Sequence, residues 1–158
     1  MPMIDLTLPA SALDDAARSR LVDDLLTTLL HWEGAPDNDR SRSLAWAFVH
    51  EADAVVVASS PTGKPHYRVG IRTPAGALDD ERRAGLVADV TRLVLDAERS
   101  PNTPENAFRV WVILDEVADG GWGAAGRVWR FGDIAGFVLD DADAGREYAS
   151  LRLAHRSR

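Results

Sequence analysis

The sequence predicts a two-layer α/β (α+β) sandwich, in which tandem β-α-β units form a four-stranded sheet with two helices on one face. Three observations predict it. The chain repeats itself at an offset of 65 residues: residues 9–25 and 74–90 are identical at ten of 17 positions, and the same offset pairs Trp46 with Trp111 and Glu51 with Glu116. Each copy opens on a run in which apolar and polar residues alternate, as a half-buried strand does. Each continues with apolar residues at helical spacing and then a second β-prone run. A strand–helix–strand unit makes a parallel pair with a right-handed crossover, and two units side by side complete the sheet.

The elements follow in order. Ile4-Asp5-Leu6-Thr7-Leu8 alternates and reads as the first strand. Leu13, Ala17, Leu21, Leu25 and Leu29 then recur at helical spacing, with Asp14 and Asp15 in the first turn, where acids complement the helix dipole. Glu33-Gly34-Ala35-Pro36 stops that helix. A polar loop, Asp37 to Arg42, leads to a β-prone run from Leu44 to Val57 that Asp53 and Ala54 interrupt. The turn-rich stretch Ser59 to Pro65 links the halves. Tyr67 to Arg72 is the next strand, with Tyr67, Val69 and Ile71 on one face and Arg68, Gly70 and Arg72 on the other. Leu86, Val90, Leu93 and Ala97 form the stripe of the second helix, which ends at Ser100-Pro101. Phe108 to Leu114 is a strand, and the glycine-rich stretch around Trp122 is a tight hairpin. The units span 1–58 and 66–131, 132–158 is a C-terminal extension, and its tail from about Asp140 is polar, a short helix or partly disordered.

Composition narrows the function. With 158 residues and 46% apolar content the chain can bury a core without staples. The absence of cysteine excludes disulfides, thiolate nucleophiles and cysteine-ligated zinc. A net charge of −7 disfavours nucleic-acid or anionic-membrane partners. No run approaches a spanning helix, and no signal-peptide pattern opens the chain, so a cytoplasmic location is expected. His31, His50, His66 and His155 form no metal pattern. Trp46 and Trp111 read as core or subunit-interface residues.

Chemistry is expected at the start. Pro2 follows Met1, and a small second residue favours methionine removal. Removal leaves Pro2 as a free secondary amine at the mouth of the first strand. An α-amino group titrates near pH ~8, and burial or a nearby cation lowers that value. An amine poised there takes a proton from a carbon acid or returns it. Met-Pro starts are also common in proteins that make no such use of them.

Three features together make the chain similar to the tautomerase superfamily: Pro2 ahead of an alternating strand, the duplicated unit, and Glu116-Val117-Ala118-Asp119-Gly120-Gly121-Trp122-Gly123-Ala124-Ala125-Gly126. The last resembles the glycine-rich hairpin of 4-oxalocrotonate tautomerase, with Trp122 at its aromatic position. The resemblance spans roughly residues 2–130. It implies the tautomerase/MIF-like fold, an amino-terminal proline as general base or acid, no metal or organic cofactor, and a homotrimer of fused chains. It also implies one centre per chain, because the counterpart of Pro2 is the internal Tyr67.

Where 4-oxalocrotonate tautomerase places arginines, this chain has Ala12 and Ala77 before the helices and Trp46 and Trp111 on the following strands. Arg68 and Arg72 are the nearest replacements for gripping a carboxylate, which a guanidinium holds through two hydrogen bonds. Arg72 approximates an arginine of malonate semialdehyde decarboxylase, and Asp39 resembles that enzyme's loop aspartate. Ile113, Ala124 and Leu29 stand where cis-3-chloroacrylic acid dehalogenase has its tyrosine, glutamate and histidine, so that hydrolytic chemistry is not implied. The expectation is a tautomerase of small 2-oxo acids, with Pro2, Arg72 and Asp39 catalytic and Arg68 and Trp122 binding substrate. The alternatives are a malonate semialdehyde decarboxylase or hydratase using Pro2 and Asp39, and a non-catalytic trimeric scaffold that keeps the fold.

Overall fold

The computed structural model describes residues 2–58, 60–61 and 63–156. The first unit runs β1 (Met3–Pro9), α1 (Asp15–Glu33), α2 (Asp39–Leu44) and β2 (Trp46–Ala52). β3 (Val56–Val57) and β4 (Ser60–Pro61) form a small ribbon between the units. The second unit repeats the order with β5 (Tyr67–Pro74), α3 (Asp80–Glu98), α4 (Pro104–Ala107) and β6 (Val110–Val117). A hairpin of β7 (Trp122–Ala124) and β8 (Arg127–Trp129) follows, then α5 (Phe131–Leu139) and α6 (Ala142–Arg156). The main sheet has the order β2-β1-β5-β6, parallel within each unit and antiparallel where β1 meets β5. This is the expected two-layer sandwich.

The duplication is physical as well as sequential. Asp14 caps α1 by accepting from the Ala17 amide at 2.7 Å, and Asp79 caps α3 by accepting from the Arg82 amide at 2.9 Å. Arg18 pairs with Glu51, and 65 residues on Arg83 pairs with Glu116 at 2.8 Å. Both long helices end on a left-handed residue, Gly34 and Arg99. Leu21, Leu25 and Leu29 of α1 and Leu86, Val90 and Val94 of α3 bury their stripe against Ile4, Leu6, Leu8, Val69 and Ile71. Each such side chain contributes about 1.5–3 kcal/mol by leaving water. The helices meet closely because Gly85 leaves room for the Trp32 ring, whose Nε1 donates to Asp89 at 3.0 Å.

Several elements differ from the sequence reading. The loop Asp37 to Arg42 contains a short helix, α2, capped by Asn38, so the strand after it begins at Trp46. Phe108 lies outside β6 and is 82% exposed, because Thr103 caps the one-turn α4 just ahead of it. Phe131–Leu139 is a helix, where no element was expected, and the polar tail is the helix α6. These two pack backbone to backbone: a Cβ on Gly145 would lie 2.2 Å from the Gly136 nitrogen. Trp46 and Trp111 are not core residues; they are 62% and 66% exposed on the sheet face away from the helices. No helix of the described residues is long and apolar enough to cross a membrane.

Candidate active site

Alternation along β1 turns Ile4, Leu6 and Leu8 toward the helices, and Pro2, one step earlier on the same side, is buried. It opens onto a cavity of about 70 Å³. The walls are the end of α1 with the turn behind it (Leu30, Pro36), α2 (Leu44), and α5 (Ile134, Val138). The lining is mostly apolar, and its polar side chains are Glu33, Ser41 and Tyr148.

The C-terminal helices form the outer wall. Asn38 donates to the Val138 carbonyl at 3.2 Å, and Arg40 donates to the Phe137 carbonyl at 3.2 Å and pairs with Asp140 at 2.9 Å. The Tyr148 hydroxyl donates to the Glu33 carbonyl at 3.1 Å. Asp119 of the glycine-rich turn accepts from the Phe131 amide at 2.8 Å and starts α5. The hairpin thus reaches the cavity through the helix it launches.

Glu33 retains partial exposure as a residue, but its Oε1 is buried and has no hydrogen-bond partner among the described residues. Burial pushes its carboxyl up from 4.5 to about 7, and the positive charge of the amino terminus draws it partly back. The Ser41 Oγ is likewise buried without a partner among the described residues. Burial also pushes the Tyr148 hydroxyl up.

Of the residues singled out in the sequence, Pro2 lines this cavity and four others do not. Arg68 and Arg72 face the open side of the sheet, as their alternation requires. Arg72 Nη1 contacts Asp5 Oδ2 at 2.5 Å, and Arg68 donates to Thr7 Oγ1 at 3.2 Å. Asp39 is exposed in the first turn of α2, while Ser41, two residues on, faces inward. Trp122 is half-buried in the hairpin opposite Trp129. Glu33, Ser41 and Tyr148 were not singled out. For Glu33 a signal existed: the 65-residue offset pairs it with Glu98. Among the described residues no group of three His, Asp or Glu side chains is disposed to hold a metal.

Comparison with known proteins adds a family match over part of the chain and a fold. Residues 68–131 match the family model described as Tautomerase enzyme. No curated relative matches the chain. Among solved structures, Pt0534 inactivated by 2-oxo-3-pentynoate is 16% identical with a TM-score of 0.66, covering 80% of this chain and 94% of that one. A fused 4-OT, a symmetric trimer, is 20% identical with a TM-score of 0.64, covering 79% of this chain and 93% of that one. N1, a member of the cis-3-chloroacrylic acid dehalogenase family, is 17% identical with a TM-score of 0.67, covering 92% of this chain and 89% of that one. At these identities the likeness is one of fold.

Proposed function

Because residues 68–131 are a tautomerase-family unit and the sheet has the fold of that superfamily, we propose that the chain is a keto–enol tautomerase using Pro2 as its proton-transfer group. The observation that carries this reading is the burial of Pro2 at the edge of a half-open, mostly apolar cavity at the start of β1. Removal of Met1 makes its nitrogen a secondary amine. Apolar walls disfavour the charged ammonium and bring its pKa toward neutrality, where one group both gives and takes a proton. The substrate is a small 2-oxo acid or its enol, with the apolar end in the cavity. Neither Arg68 nor Arg72 lines the cavity of its own chain, so a carboxylate gripped by them sits at the mouth, on a neighbouring copy. The assembly we propose is a homotrimer, which the exposed Trp46, Phe48, Trp111 and Ile113 on the open sheet face suit as an interface.

The test combines intact mass, ketonisation of phenylenolpyruvate, and labelling with 2-oxo-3-pentynoate, the compound that inactivates Pt0534. The expected result is loss of Met1, a rate that collapses in Pro2→Ala, and one adduct per chain on Pro2. A retained Met1, or a rate indifferent to Pro2→Ala, refutes the reading and leaves a scaffold. Asp39→Ala is expected to leave the ketonisation rate unchanged, since Asp39 lies outside the cavity.

A further inference from the structure

The duplicated chain carries its own comparison for the Pro2 site. At the 65-residue offset Pro2 corresponds to Tyr67, Glu33 to Glu98, Ser41 to Asn106 and Leu44 to Arg109. In the second unit the carboxylate has a counter-ion. Arg109 Nη2 lies 3.0 Å from Glu98 Oε2, with the two side chains 6% and 11% exposed. Arg109 also donates to Asn106 Oδ1 at 3.3 Å, and Asn106 donates to the Pro101 carbonyl at 2.9 Å. The Tyr67 hydroxyl lies against this pair.

In the first unit the carboxylate is kept and the arginine is replaced. Leu44 stands where Arg109 would, so Glu33 Oε1 and Ser41 Oγ are both buried without partners among the described residues, and both residues line the cavity that Pro2 opens onto. A buried unpaired acceptor costs about 1–3 kcal/mol, and such groups persist where they serve a ligand or a proton. The titratable groups around Glu33 are the chain's amino terminus, the Tyr148 hydroxyl of α6, and, beyond Tyr148, the Arg82 guanidinium of α3. Arg82 reaches the Gly34 turn and forms no ion pair with Glu33.

We propose that Glu33 is the second proton-transfer group of the Pro2 site, taking the proton of the enol oxygen while the Pro2 ammonium protonates carbon. This rests on the tautomerase reading of Pro2. The balance is closed. The ammonium N–H bond breaks as the new C–H bond forms; the enol O–H bond breaks as the Glu33 carboxylate gains that proton; the C=C pair becomes the C–H bond and the C=O forms. Transfer of the proton from the Glu33 carboxyl to the neutral amine then restores both groups. In the second unit the Tyr67 amide donates to the Arg109 carbonyl at 2.8 Å; by the 65-residue offset the Leu44 carbonyl is the counterpart that would take one ammonium hydrogen. The other hydrogen is left for substrate.

The experiment uses the full chain, its loss of Met1 verified by mass, as wild type, Glu33→Gln and Pro2→Ala. The readouts are the pH profile of phenylenolpyruvate ketonisation and the pH profile of Pro2 labelling by 2-oxo-3-pentynoate. Glu33→Gln is isosteric and removes one charge. It is expected to lower kcat about 100-fold with KM little changed, and to abolish the fall in rate below neutral pH. It is also expected to move the labelling profile about one unit toward acid, because the amine loses its carboxylate neighbour. A Glu33→Gln rate within about 3-fold of wild type with an unmoved labelling profile overturns the proposal. If Pro2→Ala is then inactive, the Pro2 reading survives without Glu33. If Pro2→Ala retains the rate, or Met1 is kept, both fall together.

Discussion

Glu33→Gln has a second consequence, for stability. In the unfolded chain the Glu33 carboxyl titrates near its ordinary 4.5, and in the folded protein near 7. The folded state therefore holds its proton more tightly. The stability that this proton confers is fully present below about pH 4.5 and is lost as pH rises through about 7. At about 1.4 kcal/mol per pKa unit, the wild type forfeits about 3 kcal/mol across that window. The figure is a ceiling, since part of the residue still meets water. Glutamine has the same shape and no proton to lose, so the difference between variant and wild type isolates this one group. The assay is urea unfolding of both proteins at fixed chain concentration between pH 4.5 and 8. Glu33→Gln is expected to match wild type at the acid end and to become more stable by up to about 3 kcal/mol at pH 8. A difference that does not change with pH, or a variant less stable at pH 8, would refute the reasoning that Glu33 ionises at a cost inside the fold.

Three further predictions concern the frame around the site. Gly145→Ala places a Cβ 2.2 Å from the Gly136 nitrogen, so α6 must lift from α5. The expected result is about 1–3 kcal/mol of destabilisation and faster amide exchange confined to Phe131–Leu139, with the central strands still protected. Gly85→Ala meets the Trp32 ring at 2.1 Å and should destabilise by about 1–3 kcal/mol; in a Trp32→Leu background the same change should stabilise, by the roughly 1 kcal/mol that alanine gains over glycine in a helix. Arg109→Met strands Glu98 in the core and is expected to cost about 3–5 kcal/mol in urea unfolding; a loss below about 1 kcal/mol would exclude a structural role for the ion pair.

The sheet was legible in the sequence because one face of β1 and β5 is fully buried, which forces strict alternation at Ile4, Leu6, Leu8 and at Tyr67, Val69, Ile71. The same alternation already turned Arg68 and Arg72 away from the core. α5 was not legible. Gly132 and Gly136 lower its helix propensity, and what holds it is tertiary: the close approach of Gly145 and the bonds from Asn38, Arg40 and Asp119. Phe108 misled because an aromatic residue beside a β-prone run reads as strand, whereas the turn capped by Thr103 delays pairing to Val110. Within the site, Pro2 was found from its position. Glu33 read only as part of a helix stop, since a carboxylate at a helix end is ordinary. Its meaning lies in a difference between the two copies, an acid kept at Glu33 and Glu98 while its arginine survives only at position 109.

That difference makes the two halves unequal under mutation. Around Tyr67, the Glu98–Arg109 pair and Asn106 hold one another in place, so sequence drift there is judged by folding alone. Around Pro2, Glu33 Oε1 and Ser41 Oγ are buried without hydrogen-bond partners among the described residues, and many changes that relieve them should stabilise the fold at the expense of proton transfer. Selection for heat resistance without selection for turnover should therefore accumulate changes in the first unit's pocket, and selection for both should drive them into the second unit. A duplicated chain of this kind holds a spare copy of its own site, already rebuilt as structure.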